Sequence, residues 1–306
     1  MADIFYIKNG GIDREKWDNC ILSAENSLLY AHSVYLDAMC NWDALVMGDY
    51  ETVMPLPCRK KFGINYLYQP AFTQQLGIFS KHPVTEKKIN EFITAAMAHY
   101  RFAEICLNYN NPCRSFNKAS SQLRNNYVLN LEISYENIYK GYSSSLKRKL
   151  SWIKKFGSIY NGWDDVEHVI DLYRQLYGKK MKGVSGEDFR RFVLLCKKLH
   201  EAQKIICRIA TNYEGEKLAA LVLLNDGKRI YNIISCITEA GKKVHANDFI
   251  YDSLVREFSG KPLLLDFEGS DMPGIADFYM KFSPVAQPYP FIKWNQLPAL
   301  LKLVKK

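Results

Sequence analysis

The chain has 306 residues, 48% hydrophobic and 13% aromatic, with a net charge of +9. That length suits two domains of about 150 residues, and the apolar content is enough for real cores, which excludes a disordered chain. No uninterrupted apolar run approaches the roughly 18 residues of a membrane span. Acids at Asp3, Asp13 and Glu15 stand where a signal peptide is basic and then apolar, so a soluble cytoplasmic protein is expected.

In the first half, Ala44 to Met47, the turn Gly48-Asp49-Tyr50 and Thr52 to Leu56 predict a hairpin. Asn65 to Gln69 predicts a third strand, Thr85 to Tyr100 a helix, and Phe102 to Leu107 an apolar strand. Between them, Gln69, Phe72, Gln74 and Gln75 form an amide- and aromatic-rich stretch. It suits either a polar acceptor, such as a sugar or peptide, or a buried amide network in a long loop. The eight cysteines include no Cys-x-x-Cys pair, and several sit inside apolar runs, as reduced core thiols do. The six histidines are scattered, so no metal site is expected.

A basic helical block follows. Lys140 to Lys204 holds fifteen Lys or Arg against seven Asp or Glu, a surplus of +8 that accounts for nearly all of the net charge. Within Tyr135 to Phe156, Leu146, Leu150 and Ile153, with Trp152 beside them, make an apolar stripe that leaves Lys147, Arg148, Lys154 and Lys155 largely elsewhere. This pattern fits a solvated face on a core helix or an anionic partner. Asp164 to Tyr177 and Gly186 to His200 are further predicted helices.

Lys204 to Ala210, Lys217 to Leu224 and Arg229 to Cys236 then read as three strands joined by Gly-containing turns. Asn247 to Phe258 predicts a helix and Pro262 to Phe267 an apolar strand, so the order strand, strand, strand, helix, strand occurs twice. A helix between two strands of one sheet demands a parallel crossover, while the tight turns demand antiparallel pairs. The fold class expected is therefore α/β of the α+β type. Each half, residues 1–135 and 136–306, should hold a mixed, mostly antiparallel sheet flanked by helices.

The stretch Leu263 to Tyr289 carries the most chemistry. A short apolar strand runs into Asp266, Glu268, Gly269, Ser270 and Asp271, and carboxylates at the carboxyl end of such a strand often line a ligand crevice. Pro273 and Gly274 then open a helix with Ile275, Phe278, Tyr279 and Phe282 on one face.

This strand, the DFEGS turn, Pro-Gly and then Phe278-Tyr279-Met280-Lys281-Phe282 resemble the end of a GNAT-type acyltransferase domain, specifically the FemAB/FemX-like branch, in which two such domains stand in tandem. The resemblance implies a C-terminal catalytic copy and an N-terminal copy that binds or supports. It also implies that Tyr279 is the general acid for the leaving group, although Ser283 stands where the pattern has glycine. Acyl-CoA, such as acetyl-CoA, is the cosubstrate it suggests, with its pyrophosphate on the loop Ile237 to Asn247. There Gly241 frees backbone N–H groups, Lys242 and Lys243 add charge, and His245 and Asn247 lead into a helix amino terminus. The usual Gly-rich phosphate signature is missing, and a plain lysine-bearing turn fits these residues as well.

Asp266 and Glu268 are the candidate bases, only one of them facing the crevice; either may instead cap the next helix or satisfy a basic neighbour. Gln69, Phe72, Gln74, Gln75, Lys147, Arg148 and Ser270 are the candidate substrate-binding residues. Three functions compete. The first is an N-acyltransferase moving an acyl group from acyl-CoA to a small-molecule or peptide amine. The second is an aminoacyl transferase that draws on aminoacyl-tRNA to extend a cell-wall peptide, as Fem-type proteins do, and the +8 block favours it. The third is a non-catalytic binding protein on the same scaffold.

Overall fold

The computed structural model describes residues 3–61, 63–111, 116, 118–153, 157–163, 165–181, 183–269 and 271–298. Packing divides the chain into two units, residues 1–124 with 288–306 and residues 125–287. The division expected between residues 135 and 136 thus falls between 124 and 125, and the end of the chain belongs to the first unit rather than the second.

In the first unit, β1 (Ile4–Ile7), α1 (Arg14–Ser23) and α2 (Ser33–Met39) precede β2 (Trp42–Met47), β3 (Thr52–Lys61) and β4 (Ile64–Tyr68). Then come β5 (Phe79–Ser80), α3 (Glu86–His99), β6 (Phe102–Cys106) and β7 (Ser120–Arg124). Thr85 caps α3 by accepting from the Lys88 amide. Ile89, Phe92, Ile93 and Ala96 recur at helical spacing and are buried against the sheet core of Leu45, Met54, Leu56 and Leu67.

The second unit contains β8 (Tyr127–Asn130), α4 (Tyr135–Gly141), α5 (Ser144–Ile153), β9 (Ile159–Gly162), α6 (Val166–Tyr177) and α7 (Gly186–Glu201). It continues with β10 (Ile205–Thr211), β11 (Lys217–Asn225), β12 (Arg229–Ile237), α8 (Glu239–Lys243) and α9 (Ala246–Phe258). β13 (Leu264–Asp266), α10 (Pro273–Met280) and β14 (Val285–Ala286) complete it. The chain then ends its described course in β15 (Tyr289–Asn295), which pairs with β6 and β7 and buries Ile292 and Trp294 in the first unit's core.

The first sheet has the order β1-β2-β3-β4-β6-β15-β7, with β5 beside β3, and among the described residues only β4 and β6 are parallel. The second has the order β14-β8-β13-β12-β11-β10-β9, and only β12 and β13 are parallel. Each parallel pair is bridged by a helix, α3 or α9, as a crossover requires. The mixed, mostly antiparallel sheets expected from the sequence are present in both units. The expected basic helix breaks at Tyr142 and Ser143, where the Ser143 hydroxyl accepts from the Leu146 amide and starts α5 afresh. Leu146, Leu150 and Ile153 are buried as the stripe predicts, while Trp152 is 39% exposed and stands apart from it.

Candidate active site

The parallel pairing of β12 and β13 spans only Arg229 to Tyr231 and Leu264 to Asp266, whereas β12 runs on to Ile237. β13 ends with that short ladder at Asp266, and a cavity of about 590 Å³, lined in part by the farther course of β12, lies inside the second unit. Ser235 of β12, Asn247 and Tyr251 of α9, and Tyr279 of α10 line it, with Tyr173 and Tyr177 of α6. Met181, Met272, Ile275 and Phe278 add apolar wall, and Lys180 is the charged residue in the lining.

Tyr279 is 8% exposed, its ring stacked on Phe267 at 4.7 Å. Asn232 Nδ2 donates to the Tyr251 hydroxyl at 2.6 Å and to the Tyr279 hydroxyl at 3.4 Å. Burial first, and then Tyr251 and the nearby carboxylate of Glu268, hold the Tyr279 phenol well above its ordinary range near 10. It therefore keeps its proton at neutral pH. After α10 the chain turns at Ser283, which itself adopts the left-handed conformation (φ 56°) that glycine would supply.

The two carboxylates separate. Asp266 is 1% exposed; it receives Arg229 Nη1 at 2.6 Å, Asn126 Nδ2 at 3.2 Å and the Glu268 amide at 2.9 Å. Its oxygens are consumed by a buried ion pair that ties β13 to β12, so Asp266 is a structural acid and not a free base. β13 ends at Asp266, and Glu268 lies beyond it in left-handed backbone (φ 60°), half-buried and close enough to raise the Tyr279 pKa. Of the pair, Glu268 stays near the cavity chemistry. Ser270 lies outside the described residues.

The expected phosphate loop is a helix. Thr238 caps α8 by accepting from the Gly241 amide at 3.1 Å, and the Lys242 amide donates to the Thr238 carbonyl, so these N–H groups are consumed locally. Gly241 is required by packing and not by a ligand, because a Cβ there would stand 2.0 Å from the Leu218 carbonyl oxygen. Gly241→Ala should accordingly cost about 3 kcal/mol through overpacking, read as a lower urea midpoint; an unchanged midpoint would show that α8 does not rest on β11. The Lys242 side chain pairs with Glu239, and Lys243 is exposed. His245 adopts left-handed backbone (φ 55°) before α9 and packs edge-on to Trp152 at 5.5 Å. Burial, followed by Lys149 and Lys281, lowers its pKa, opposed by Asp248. The first turn of α9 already holds a carboxylate: Asp248 is 4% exposed, with Lys149 at 3.6 Å and Lys281 at 3.8 Å. Of the five predicted cofactor residues, only Asn247 lines the cavity.

In the first unit the amides serve their own loop. Gln69 Nε2 donates to the Thr73 carbonyl while its Oε1 accepts from the Cys106 amide at 2.9 Å. Gln75 donates to Gln74 at 2.6 Å and accepts from the Tyr109 amide. Phe72 sits at φ 57°, and its carbonyl accepts from the Tyr35 hydroxyl. Gln75 is buried and Gln69, Phe72 and Gln74 half-buried, and their polar groups pair within this region, as the amide-network alternative expects. Arg148 is exposed on α5, and Lys147 caps the Lys140 carbonyl at 2.8 Å.

Sequence reasoning missed Tyr251, Asn232, Ser235, Tyr173 and Tyr177. Asn232 carried a signal, being an amide inside the otherwise apolar run Ile230-Tyr231-Asn232-Ile233-Ile234; the tyrosines fall at core-like positions of predicted helices and carried none.

No family model matches the chain, and no curated protein matches its sequence significantly. Among solved structures, FemX aligns over 99% of this chain and 100% of its own, at 11% identity and a TM-score of 0.66. L-PGS from Bacillus licheniformis aligns over 95% of each chain, at 13% identity and a TM-score of 0.54. A conserved protein of unknown function from Bacteroides thetaiotaomicron covers 96% and 99%, at 10% identity and a TM-score of 0.59. At these identities the likenesses show the fold: the chain is folded like FemX and L-PGS, two proteins whose mixed sheets and crossover helices match the architecture above.

Proposed function

We propose that the chain is an acyltransferase whose cavity in the second unit seats an activated acyl group for attack by an amine. The observation that carries this is the buried Tyr279 phenol, its pKa raised above the ordinary range by burial, at the wall of a cavity that Ser235, Asn247 and Tyr251 also line. A donor of this kind protonates the leaving group as the acyl carbon is attacked.

Of the two donors, an oxygen ester such as aminoacyl-tRNA fits better than a coenzyme A thioester. A pyrophosphate needs free N–H groups, but α8 consumes those of Gly241 and Lys242, and Asp248 puts negative charge in the first turn of α9. The exposed face of α5 adds Arg148 and the partly exposed Lys147 and Lys149, with Trp152 beside His245, the mixture of cations and rings that suits RNA.

The test is tRNA retention by filter binding across a salt series, run beside a thermal-shift titration with coenzyme A. Binding that falls steeply with salt is expected. Lys147→Glu with Arg148→Glu should flatten the log–log salt slope by about 1.4 to 1.8, the loss of two phosphate contacts. Saturable stabilisation by coenzyme A, which amounts to about 2.7 kcal/mol at 100 times its Kd, together with no tRNA retention, would instead make the protein a thioester enzyme.

A further inference from the structure

The cavity in the second unit has two kinds of wall. Ser235, Asn247, Tyr251 and Tyr279 carry polar tips, whereas the side chains of Met181, Met272, Ile275 and Phe278 offer only carbon and sulfur. Phe278 meets the Tyr251 ring edge-on at 5.5 Å and the Tyr279 ring at 5.6 Å, so the apolar wall begins directly beside the Tyr279 phenol. Ile275 stands one helical turn before Tyr279 on α10, on the same face. On α6, Tyr173 and Tyr177 pack ring against ring at 5.3 Å, and the Tyr177 hydroxyl accepts from the Ile237 amide at 3.4 Å, which occupies its polar end.

Charge is nearly absent from this lining. Among the described residues no carboxylate borders the cavity, and Lys180, its one cation, is exposed. A cationic acyl side chain would be desolvated there without a counter-charge, and an acidic one would meet only a solvated ammonium that contributes little. A methyl or hydroxymethyl group fills little of about 590 Å³. A branched or aromatic chain, in contrast, buries its carbons against Ile275 and Phe278, and the two methionines, unbranched and polarizable, adapt to its outline.

We propose that the cavity selects acyl groups with a bulky apolar side chain, such as leucyl or phenylalanyl, over small or charged ones, and that Ile275 and Phe278 set this preference. The proposal rests on the acyl transfer put forward above and adds the class of group transferred.

The experiment reads binding, so it needs no acceptor. The full chain is titrated with tRNA whose terminal ribose holds its amino acid through an amide instead of an ester, charged with glycine, alanine, lysine, glutamate, leucine or phenylalanine, beside uncharged tRNA. The leucyl and phenylalanyl forms should bind at least about tenfold more tightly than the alanyl form, since even one methylene in an apolar pocket is worth about tenfold or more. The lysyl and glutamyl forms should bind no better than uncharged tRNA. Ile275→Asp should abolish the leucyl preference and favour the lysyl form, because it supplies the missing counter-charge. Ile275 is 39% exposed in the first turn of α10, where an acidic residue suits the helix, so this variant should fold. Equal affinities across the charged forms, or a preference for alanine, lysine or glutamate, would overturn the apolar pocket while leaving the transferase intact; an Ile275→Asp chain that still prefers leucine would remove Ile275 from the selection. If no tRNA is retained, acetyl-coenzyme A and phenylacetyl-coenzyme A are compared in the same way: about tenfold tighter binding of the phenylacetyl form would uphold the pocket with a thioester donor, and equal binding would overturn it. A chain that binds neither class of donor would overturn the transferase and the pocket with it.

Discussion

Tyr279→Phe lowers kcat by about 10²-fold or more while donor affinity changes little. The substitution removes one hydroxyl from the cavity wall and keeps the ring that stacks on Phe267 and meets Phe278 and Tyr251, so the core is retained. Only the proton donor is lost, and its interaction with the leaving group grows in the transition state, so the effect falls on kcat. Because burial raises the phenol pKa, Tyr279 stays protonated up to at least pH 10, and the wild-type rate shows no ionisation from it below that pH. Turnover of Tyr279→Phe at the wild-type rate, measured at saturating donor, would remove Tyr279 from the chemistry. An alkaline fall in wild-type rate near pH 8 that disappears in the variant would contradict the burial argument.

Asp266→Ala is the second large effect, and it falls on stability rather than turnover. The substitution takes the carboxylate at 2.6 Å away from Arg229, which is 5% exposed and also donates to the Gln287 side-chain oxygen Oε1 at 3.0 Å. Breaking a buried pair in this way costs about 3–5 kcal/mol. For a folding unit of this size that lowers the melting temperature by about 6–20 °C. The double change Arg229→Met with Asp266→Leu recovers most of the loss, since neither charge is then stranded. Activity per folded molecule should hold in both variants; a kcat collapse in Asp266→Ala at unchanged melting temperature would restore Asp266 to the role of base.

Much of the scaffold was legible in the sequence because it follows local rules. The hairpin turns at Gly215 and Gly227 take the positive φ values that their strand spacing demands, and Val169, Ile170, Ile250 and Leu254 fall at the helical spacing that buries them. Tyr279 was legible as well, since the apolar face of α10 and the resemblance around it point to the same residue. β15 escaped notice because its partners β6 and β7 lie far back in the chain, and no local pattern records a pairing across more than 160 residues.

By itself the sequence determined two mixed sheets with crossover helices, a basic block from Lys140 to Lys204 and a phenol beside an acidic turn. What each polar residue does was decided by tertiary structure, because a carboxylate or amide takes its role from whatever lies within about 3 Å. Arg229 converts Asp266 from candidate base to buried tie, Thr238 and Leu218 turn the expected phosphate loop into a packed helix, and Cys106 and Tyr109 claim the glutamines of the first unit. The same dependence brought Asn232 to the hydroxyls of Tyr251 and Tyr279, residues far from it along the chain, beside a register shift in β12 that sequence spacing does not record.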